Sequence, residues 1–406
     1  MPGNYRPPPL ADSATPRPEE QPLTASSNPI HIAIDVRRVR DFGIGTYIRN
    51  LVRALSRLDQ HNRYTLVAHP DDVNEFTGLG DNFRLAPVSE PDRGLRYNLQ
   101  LPGYYRSLKA SLYHIPLNSV PWRMPRPYVL TIHDMSTLMF PARKDLRYTL
   151  HQERYRRGAA RAARIITVSN ATRRDIEAVL RVPSGKISTI YSAPDAVFTM
   201  NGAPAQEKDI LERYSITFPY ILYAGTIRVH KNIPRLVEAF AVLRHDLENH
   251  PVYRDLRLVI IGDELSKNPA VRRAVALSRI EPAVRFLGFV PSDTLRVFYS
   301  AAEAFAFPSL YEGFGLAPLE AMACGTPVIA SNLPSLIEAL GDAAELVSPD
   351  NVFDIERGLR EVLLNPERRA QLVAAGHVQA KRFQWDATAQ QVLSIYREVA
   401  ENMSSQ

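Results

Sequence analysis

The chain has 406 residues, of which 45% are hydrophobic and 23% charged, and it carries a formal net charge of +6. These values exclude a fibrous, collagen-like or wholly disordered protein and predict two or three domains of about 150 residues each. The modest positive charge favours anionic partners over a dedicated role in nucleic-acid binding. Cys324 is the only cysteine of the sequence, which excludes a disulfide framework and a cysteine-based zinc site.

Residues 1–29 are rich in Pro, Ser, Ala and Thr and show no apolar periodicity. Such a segment cannot bury enough surface to offset the entropy lost on ordering, so we predict a disordered Pro-rich tail. It lacks the apolar stretch of a secretory signal, and no run of about 18 uncharged apolar residues follows it. The expected location is therefore cytoplasmic.

Short apolar runs that indicate buried strands alternate with amphipathic helical stretches from residue 30 onward. The first four runs are 32–36, 64–68, 128–132 and 164–168. Between the first two, apolar residues recur on one face of a helix over 44–58. This alternation predicts a parallel sheet with helices on both faces, a Rossmann-like domain over residues 30–192.

The alternation stops over residues 193–218, a polar stretch with several prolines that we interpret as an inter-domain linker. It then restarts over residues 219–384. The predicted strands there are 220–224, 256–261, 284–287, 304–307, 327–330 and 345–347. The fold class is thus α/β, with two Rossmann-like domains in tandem, and a helix at 385–406 could cross back to the first. Ligands bind outside the carboxyl ends of parallel strands, so we expect the site in a cleft between the two domains.

A loop and helix after the strand at 304–307 give the most informative signal. Gly313 and Gly315 let backbone N–H groups approach a ligand, and the start of a helix placed at Pro318 adds a partial positive charge. This combination suits a diphosphate. Glu312 and Glu320, eight positions apart, can both face the cleft and accept hydrogen bonds from hydroxyl groups. The alternative is a plain glycine turn with an exposed Glu312, and with Glu320 complementing the helix dipole.

This stretch resembles the E-x7-E region of the retaining glycosyltransferases of family 4, which have the two-domain GT-B fold, and the sequence at 323–328 matches the family's A-x-G-x-P-V. The resemblance implies that Glu312 contacts hydroxyls of the donor sugar. It implies that Glu320 holds the ribose hydroxyls of a nucleoside diphosphate. The residues that would line the diphosphate and sugar are Gly313, Phe314, Gly315 and Leu316.

A second loop, at 223–232, follows the first strand of the second domain and opens a helix. A cation fixed there would stabilise the charge that develops on a departing diphosphate, and Lys231 is the candidate. The family commonly has Arg-Lys-Asn at this place, whereas this chain has His230 before Lys231. Arg228 is therefore expected to supply the arginine's function. The alternative is a solvated basic loop.

Three segments of weaker specificity complete the predicted site. Gly43 and Gly45 open the helix after the first strand, and they resemble the family's G-I-G-x-Y segment near the donor phosphate or the acceptor. His133 and Asp134 directly follow the strand at 128–132. A histidine there more often packs than reacts, but the resemblance implies that His133 hydrogen-bonds the donor sugar at the cleft. Val290 lies in a segment that resembles the one packing the nucleotide base.

Residues 143–164 hold eight basic and two acidic side chains. Such a run is usually a solvated helix face. The alternative is peripheral contact with anionic lipid at the inner face of the cell membrane, worth about 1 kcal/mol per basic residue.

The sequence contains no Asp-x-Asp, the metal signature of the other large glycosyltransferase fold, so we expect metal-independent transfer with no metal and no cofactor beyond the donor itself. The resemblance to bacterial mannosyltransferases of cell-surface polysaccharide synthesis favours mannose from GDP-mannose, with UDP-glucose second. The expected acceptor is a saccharide or a lipid-linked saccharide, and no nucleic acid. The resemblance to the family implies retention of the anomeric configuration. Retention in turn implies a front-face substitution that needs no protein nucleophile. Two alternatives remain: a GT-B phosphorylase or epimerase, and a non-catalytic sugar-nucleotide binder.

Overall fold

The computed structural model describes residues 28–89, 98–118, 120–141, 146–199, 204–262 and 268–404. The predicted tail falls outside these ranges apart from its last two residues, and so does the beginning of the basic stretch at 143–164. Within the described ranges, strands form one seven-stranded and one six-stranded sheet. The ten predicted strands match observed ones to within one residue at each end.

The N-terminal sheet has the order β3-β2-β1-β4-β5-β6-β7, and all its pairs are parallel. Its strands are β1 (His31–Asp35), β2 (Arg63–Ala68), β3 (Phe83–Pro87), β4 (Leu112–Ile115), β5 (Tyr128–Ile132), β6 (Arg164–Thr167) and β7 (Ile187–Thr189). The helices between them are α1 (Phe42–Leu58), α2 (Leu101–Ser107), α3 (Ser136–Met139), α4 (Leu146–Arg161) and α5 (Asn170–Leu180). Every residue of β5 is buried, as expected for a central strand covered on both faces.

The C-terminal sheet has the order β10-β9-β8-β11-β12-β13 and is likewise parallel. Its strands are β8 (Tyr220–Gly225), β9 (Arg257–Gly262), β10 (Val284–Gly288), β11 (Ala304–Phe307), β12 (Val328–Ser331) and β13 (Ala344–Val347). The helices of this domain that precede β13 are α6 (Pro204–Arg213), α7 (Ile233–Asp246), α8 (Pro269–Ser278), α9 (Ser292–Ala301), α10 (Leu316–Ala323) and α11 (Pro334–Leu340). Three more helices follow β13: α12 (Val352–Leu364), α13 (Pro366–Lys381) and α14 (Trp385–Ser404).

The apolar runs did not predict β3, β4 and β7. The outer strands β3 and β7 lie at the two edges of the N-terminal sheet, and β7 is only three residues long, so their apolar signal is weak. The inner strand β4 is buried at all four positions, but its sequence Leu-Tyr-His-Ile includes the polar His114. A histidine in a core strand is accepted only where its nitrogens find partners, which the sequence does not reveal.

Helix α14 leaves the C-terminal domain and packs on the N-terminal one. Its apolar side chains join the same hydrophobic cluster as α1 and the strands β1 and β2. Within this cluster the Tyr396 hydroxyl hydrogen-bonds Nδ1 of His114 at 2.6 Å, and both side chains are fully buried. The Trp385 indole donates to the carbonyl of Pro194 at 3.1 Å. The two sheets are therefore joined both by the connecting segment and by this returning helix.

The segment predicted as a linker, 193–218, contains a helix of its own. Helix α6 packs against α9 of the C-terminal domain, where Arg296 forms an ion pair with Glu207 at 2.7 Å. Two parallel sheets with their own cores confirm the predicted pair of Rossmann-like domains. In the part of the chain that is described, no helix combines the length and apolarity needed to span a bilayer.

Candidate active site

Lys231 and Glu312 meet at the carboxyl ends of two neighbouring strands of the C-terminal sheet. The loop after β8 carries Lys231, and the loop after β11 carries Glu312. The Lys231 ammonium donates to Oε1 of Glu312 at 2.6 Å, and the two side chains are 14% and 11% exposed. Neither is therefore a solvated surface group, which removes the basic-loop and exposed-turn alternatives for these two residues.

Asn232 fixes the loop that presents Lys231. Its backbone has a φ of 60°, in the left-handed region that a few residue types, asparagine among them, tolerate. Its side-chain amide donates to the carbonyls of Pro308 at 3.0 Å and Pro349 at 2.7 Å. The side chain is buried and ties the β8 loop to the β11 loop, so Lys231 is held next to Glu312 by more than their mutual attraction.

Glu320 lies deeper than Glu312. Helix α10 begins at Leu316, so Pro318 is its third residue and not the first, and Glu320 stands in the second turn. The side chain is buried, and the Tyr299 hydroxyl lies 3.4 Å from Oε2. Burial, aided by the nearby carboxylate of Asp195, raises the pKa of Glu320 to about 8. At neutral pH this carboxyl group holds its proton and can both donate and accept a hydrogen bond.

Gly313 lies at a close contact between the two domains. A Cβ atom at Gly313 would lie 1.9 Å from the carbonyl oxygen of His133, so only glycine permits this approach. The Gly313 carbonyl accepts hydrogen bonds from Ser169 Oγ at 2.5 Å and Thr172 Oγ1 at 3.1 Å. Ser169 is also the N-cap of α5, accepting from the Thr172 backbone N–H. The loop after β11 thus docks onto the carboxyl ends of β5 and β6.

His133 is a neutral, oriented imidazole at this junction. Its Nε2 lies 3.2 Å from the carbonyl of Pro116, and because a carbonyl can only accept, Nε2 carries the proton. Desolvation lowers the pKa of His133 to about 4. The ring meets Tyr47 edge to face at 4.8 Å. This leaves Nδ1 as a hydrogen-bond acceptor for a ligand hydroxyl.

Asp134, also predicted at the site, has a local structural role. Its Oδ1 accepts from the Ser136 backbone N–H at 2.7 Å and from the Ser136 hydroxyl at 2.6 Å. These bonds hold the start of α3, as a capping aspartate does.

Gly43 and Gly45 differ in what the structure requires of them. Helix α1 begins at Phe42, so both lie in its first turn. A Cβ atom at Gly45 would lie 2.1 Å from the Val39 carbonyl oxygen, whereas the space around Gly43 is open. The ring of Phe42 meets that of Phe289, from the loop after β10, at 6.0 Å across the two domains. The predicted base-packing residue Val290 is buried directly beside it.

The remaining predicted residues sit around this centre. Arg228 is exposed and precedes the short helical turn that contains Lys231. The backbone N–H of Lys231 donates to the carbonyl of Arg228 at 2.9 Å. His230 lies with its ring 5.7 Å from Phe140 of the N-terminal domain, and desolvation followed by the Lys231 charge lowers its pKa.

The residues that flank Gly313 and Gly315 offer mainly their backbone. The ring of Phe314 is buried against Tyr191 and Phe383, so its main chain is the part that can reach a ligand. Gly315 has a φ of +109° and precedes α10, and Leu316 is the first residue of that helix. Backbone N–H groups at this helix start are available to an anion.

Two inter-domain contacts escaped the sequence reasoning. The Tyr311 hydroxyl donates to Asp175 at 2.7 Å and accepts from the Met135 N–H at 3.1 Å. Glu338 accepts from the backbone N–H of Asn170 at 2.8 Å, at the start of α5. The only local signal was that Tyr311 lies in the loop after β11, next to the predicted Glu312. Nothing local marks Glu338, because its partner is 168 residues away.

Together, these loops place a carboxylate, an ammonium group, a neutral imidazole and a helix start at one inter-domain junction. Such a set can bind a polyhydroxylated ligand that carries a diphosphate. Among the described residues, no three or more His, Cys, Asp or Glu side chains converge as a ligand set for a metal ion.

Comparison with known proteins gives matches along most of the chain. Residues 43–198 match the model of "Glycosyltransferase Family 4", and residues 209–379 match that of "Glycosyl transferases group 1". The chain is 32% identical over 294 residues to O-antigen chain mannosyltransferase B of Escherichia coli, covering 72% of this chain and 75% of that protein.

Two further comparisons differ in reach. The serotype-specific mannosyltransferase WbdA of Escherichia coli is 30% identical over 280 residues, which is 68% of this chain but only 33% of WbdA. This chain therefore spans about a third of that relative. Among solved structures, Anabaena HepE in complex with UDP-glucose superposes with a TM-score of 0.72 at 15% identity, covering 93% of this chain and 100% of HepE. At that identity the likeness concerns the fold.

Proposed function

Because the chain belongs to the family 4 glycosyltransferases, we propose that it is a retaining mannosyltransferase. It would move mannose from GDP-mannose to a hydroxyl of a saccharide or lipid-linked saccharide during synthesis of a cell-surface polysaccharide. The observation that carries the proposal is the Lys231–Glu312 pair, 2.6 Å apart beside the Gly313–His133 junction.

The pair supports a division of labour on the donor. An ammonium group has three donors, so Lys231 can keep Glu312 and still reach a phosphate oxygen. Glu312 accepts from sugar hydroxyls, and the Nδ1 of His133 accepts from another. Glu320, protonated at neutral pH, exchanges hydrogen bonds with the ribose hydroxyls. The N–H groups at the start of α10 face the diphosphate.

In the proposed step, the bond between the anomeric carbon and the β-phosphate oxygen breaks, and its electron pair leaves with the diphosphate. The acceptor oxygen forms its bond to the anomeric carbon on the same face, so the configuration is retained. The acceptor proton passes to the departing phosphate oxygen. Lys231 stabilises the negative charge that grows there, the kind of electrostatic contribution that dominates many active sites.

The choice of mannose rests on the relatives. O-antigen chain mannosyltransferase B transfers mannose by its name, and this chain is 32% identical to it. The complex of HepE contains UDP-glucose, which makes this donor the necessary comparison.

A thermal-shift series with GDP, UDP and ADP tests the base, since a bound ligand raises the melting temperature by mass action. We expect GDP to give the largest shift. Incubation with GDP-mannose and an oligosaccharide acceptor should then yield a glycoside whose anomeric NMR signals report retention. Turnover that requires inorganic phosphate, or that proceeds without an acceptor, would favour a phosphorylase or epimerase. If the protein binds GDP but neither transfers the sugar nor hydrolyses the donor, the result would favour a non-catalytic sugar-nucleotide binder.

We extend the proposal to peripheral contact with anionic lipid on the cytoplasmic side, through residues 143–164. In the described part, α4 exposes Arg156 and Arg157, each paired with Glu153 at 3.0 and 2.8 Å. The neighbouring loop exposes Trp122 at 65%. Sedimentation with phosphatidylglycerol vesicles should exceed that with phosphatidylcholine vesicles, and alanine at Arg156 and Arg157 should reduce the difference. Equal recovery with both vesicles would end this part of the proposal.

A further inference from the structure

A cavity of about 650 Å³ lies at the amino ends of β5, β6 and β7, on the side of the N-terminal sheet opposite the active site. Its wall includes residues that precede or begin three strands: Arg126 before β5, Arg164 at the start of β6, and Lys186 before β7. Glu398 of α14 completes it. His133 follows the opposite end of β5, so a strand of five residues, roughly 15 Å, separates the cavity from the active site.

The cavity carries an excess of positive charge. Four cationic side chains line it, namely Arg126, Arg161, Arg164 and Lys186, against the single carboxylate of Glu398, a balance of four minus one, or +3. Desolvation, and after it the charge of Arg126, lower the pKa of Lys186, so these two cations repel each other. A bound anion would relieve this repulsion.

Part of the cluster is preorganised by the protein. Arg164 donates to the Gly185 carbonyl at 2.5 Å and pairs with Glu398 at 3.2 Å, and Lys186 donates to the Ala160 carbonyl at 2.6 Å. The Nε of Arg164 is buried and has no hydrogen-bond partner among the described residues. A buried guanidinium N–H without a partner is costly, so these bonds leave part of the hydrogen-bonding capacity of Arg164 unused.

We propose that this cavity binds a phosphate-bearing anion, at a site separate from the donor cleft. Guanidinium groups hydrogen-bond phosphate oxygens in pairs, and the volume lies in the range of small-ligand pockets. Glu398 occupies one side of the cluster and competes with the anion. Because Glu398 belongs to α14, the ligand would bind between the N-terminal sheet and the helix that returns from the C-terminal domain.

Inorganic pyrophosphate is the test ligand, and its affinity is measured by calorimetry and by the thermal shift of each variant against its own ligand-free form. We expect Arg161→Ala and Arg126→Ala each to weaken binding by about tenfold, the effect of one lost charge-assisted hydrogen bond. Glu398→Gln should strengthen binding, because it removes the competing carboxylate. Transfer to a soluble oligosaccharide acceptor should stay at the wild-type level in all three variants, because the donor site contains none of these residues.

The controls are Arg273→Ala, an exposed arginine of α8, and Glu401→Gln, an exposed glutamate one turn beyond Glu398. Pyrophosphate that enters the donor cleft contributes equally to every variant, so the differences between variants isolate the cavity. Sedimentation with phosphatidylglycerol vesicles repeats the series for a lipid phosphate.

A response to pyrophosphate identifies a soluble anion, and a response confined to vesicles identifies a headgroup. Either supports the proposal, provided that Glu398→Gln and Arg161→Ala act in opposite directions. If both ligands bind all five variants as they bind the wild type, the proposal is wrong. That result would leave the proposed transfer reaction untouched, since the donor site uses none of these residues.

Discussion

Lys231 and Glu312 neutralise each other at 2.6 Å, and this contact determines the effect of substituting either residue. A partly buried pair loses more when one partner is removed than an exposed pair does, because the remaining charge stays in a poorly hydrated place. Substitutions of these two residues can distinguish donor affinity from turnover only if the loop keeps its position. The side-chain amide of Asn232 holds that loop in place.

We expect Glu312→Gln to lower turnover by roughly tenfold or more, the scale of one charge-assisted hydrogen bond to the donor sugar. Affinity for the nucleoside diphosphate should remain near the wild-type value, since that part of the donor is held elsewhere. Lys231→Ala should lower both the turnover and the affinity for the nucleoside diphosphate. Steady-state kinetics and calorimetry measure the two effects, with Glu401→Gln as the surface control. An unchanged turnover number in Glu312→Gln would show that this carboxylate does not act on the sugar.

Glu320 makes stability depend on pH. Its pKa is about 8 in the folded protein against an ordinary value of 4.5. The folded state therefore keeps a proton that the unfolded state releases above 4.5, and the contribution of Glu320 to stability falls as pH rises from 4.5 to 8.

Glu320→Gln cannot titrate, so its stability relative to the wild type should increase across this window and level off above pH 8. Urea denaturation at pH 5, 6.5, 8 and 9 measures the difference. The control Glu401→Gln measures the effect of the same substitution at an exposed position. A pH-independent difference for Glu320→Gln would contradict the retained proton.

At the scale of elements, the start of α5 is completed by the other domain. Ser169 caps the helix from within its own chain segment, and Glu338 of α11 accepts from the N–H groups of Asn170 and Ala171 at 2.8 and 3.2 Å. A carboxylate at a helix N-terminus is favoured by the helix dipole as well as by its hydrogen bonds. The domains are thus held together where α5 begins.

Glu338→Ala should destabilise the protein by about 1 kcal/mol and loosen the closed arrangement, lowering kcat/KM. Glu338→Gln keeps an acceptor oxygen and should recover part of both losses. Urea denaturation, kinetics and the radius of gyration in solution measure these effects. Asp342→Ala, an exposed acidic residue beyond the end of α11, is the control and should change none of them. Wild-type values in Glu338→Ala would show that this contact does not hold the domains together.

At the scale of the whole molecule, α14 anchors the C-terminal end of the chain in the N-terminal core. The Tyr396 hydroxyl is the partner of His114 Nδ1, while Nε2 of the same ring meets Thr131 Oγ1 at 2.8 Å. Burial lowers the pKa of His114 to about 3, so the ring is neutral. A neutral buried imidazole needs a partner at each nitrogen.

We expect Tyr396→Phe to cost about 1–3 kcal/mol of unfolding free energy, because it leaves Nδ1 of His114 buried and unpaired. The denaturation midpoint in urea measures this. Tyr104→Phe removes a hydroxyl from a more exposed hydrogen bond, to the Pro87 carbonyl, and should change stability by less than about 0.5 kcal/mol. Equal effects of the two substitutions would contradict the role of this buried pair.

Much of the fold and of the candidate site could be predicted from the sequence, because these features depend on residues that are close together in the chain. Alternating apolar runs gave ten strands, and the two parallel sheets follow from them. The loops after β8 and β11 carry Lys231 and Glu312 at strand ends, where parallel sheets bind ligands. The glycines at 313 and 315 predicted a close approach of the backbone to a ligand, and the structure shows that Gly313 also approaches the carbonyl of His133.

Only the tertiary structure decided which of these groups meet. Gly313 is required by the carbonyl of His133, the start of α5 is completed by Glu338, and Glu320 holds a proton because burial and Asp195 disfavour its charge. Each depends on atoms more than a hundred residues apart, whose distance no periodicity or motif encodes. A sequence carries local propensity and residue chemistry, whereas burial, partner and pKa belong to the packed molecule, because the loss of water around a group is a property of everything that surrounds it.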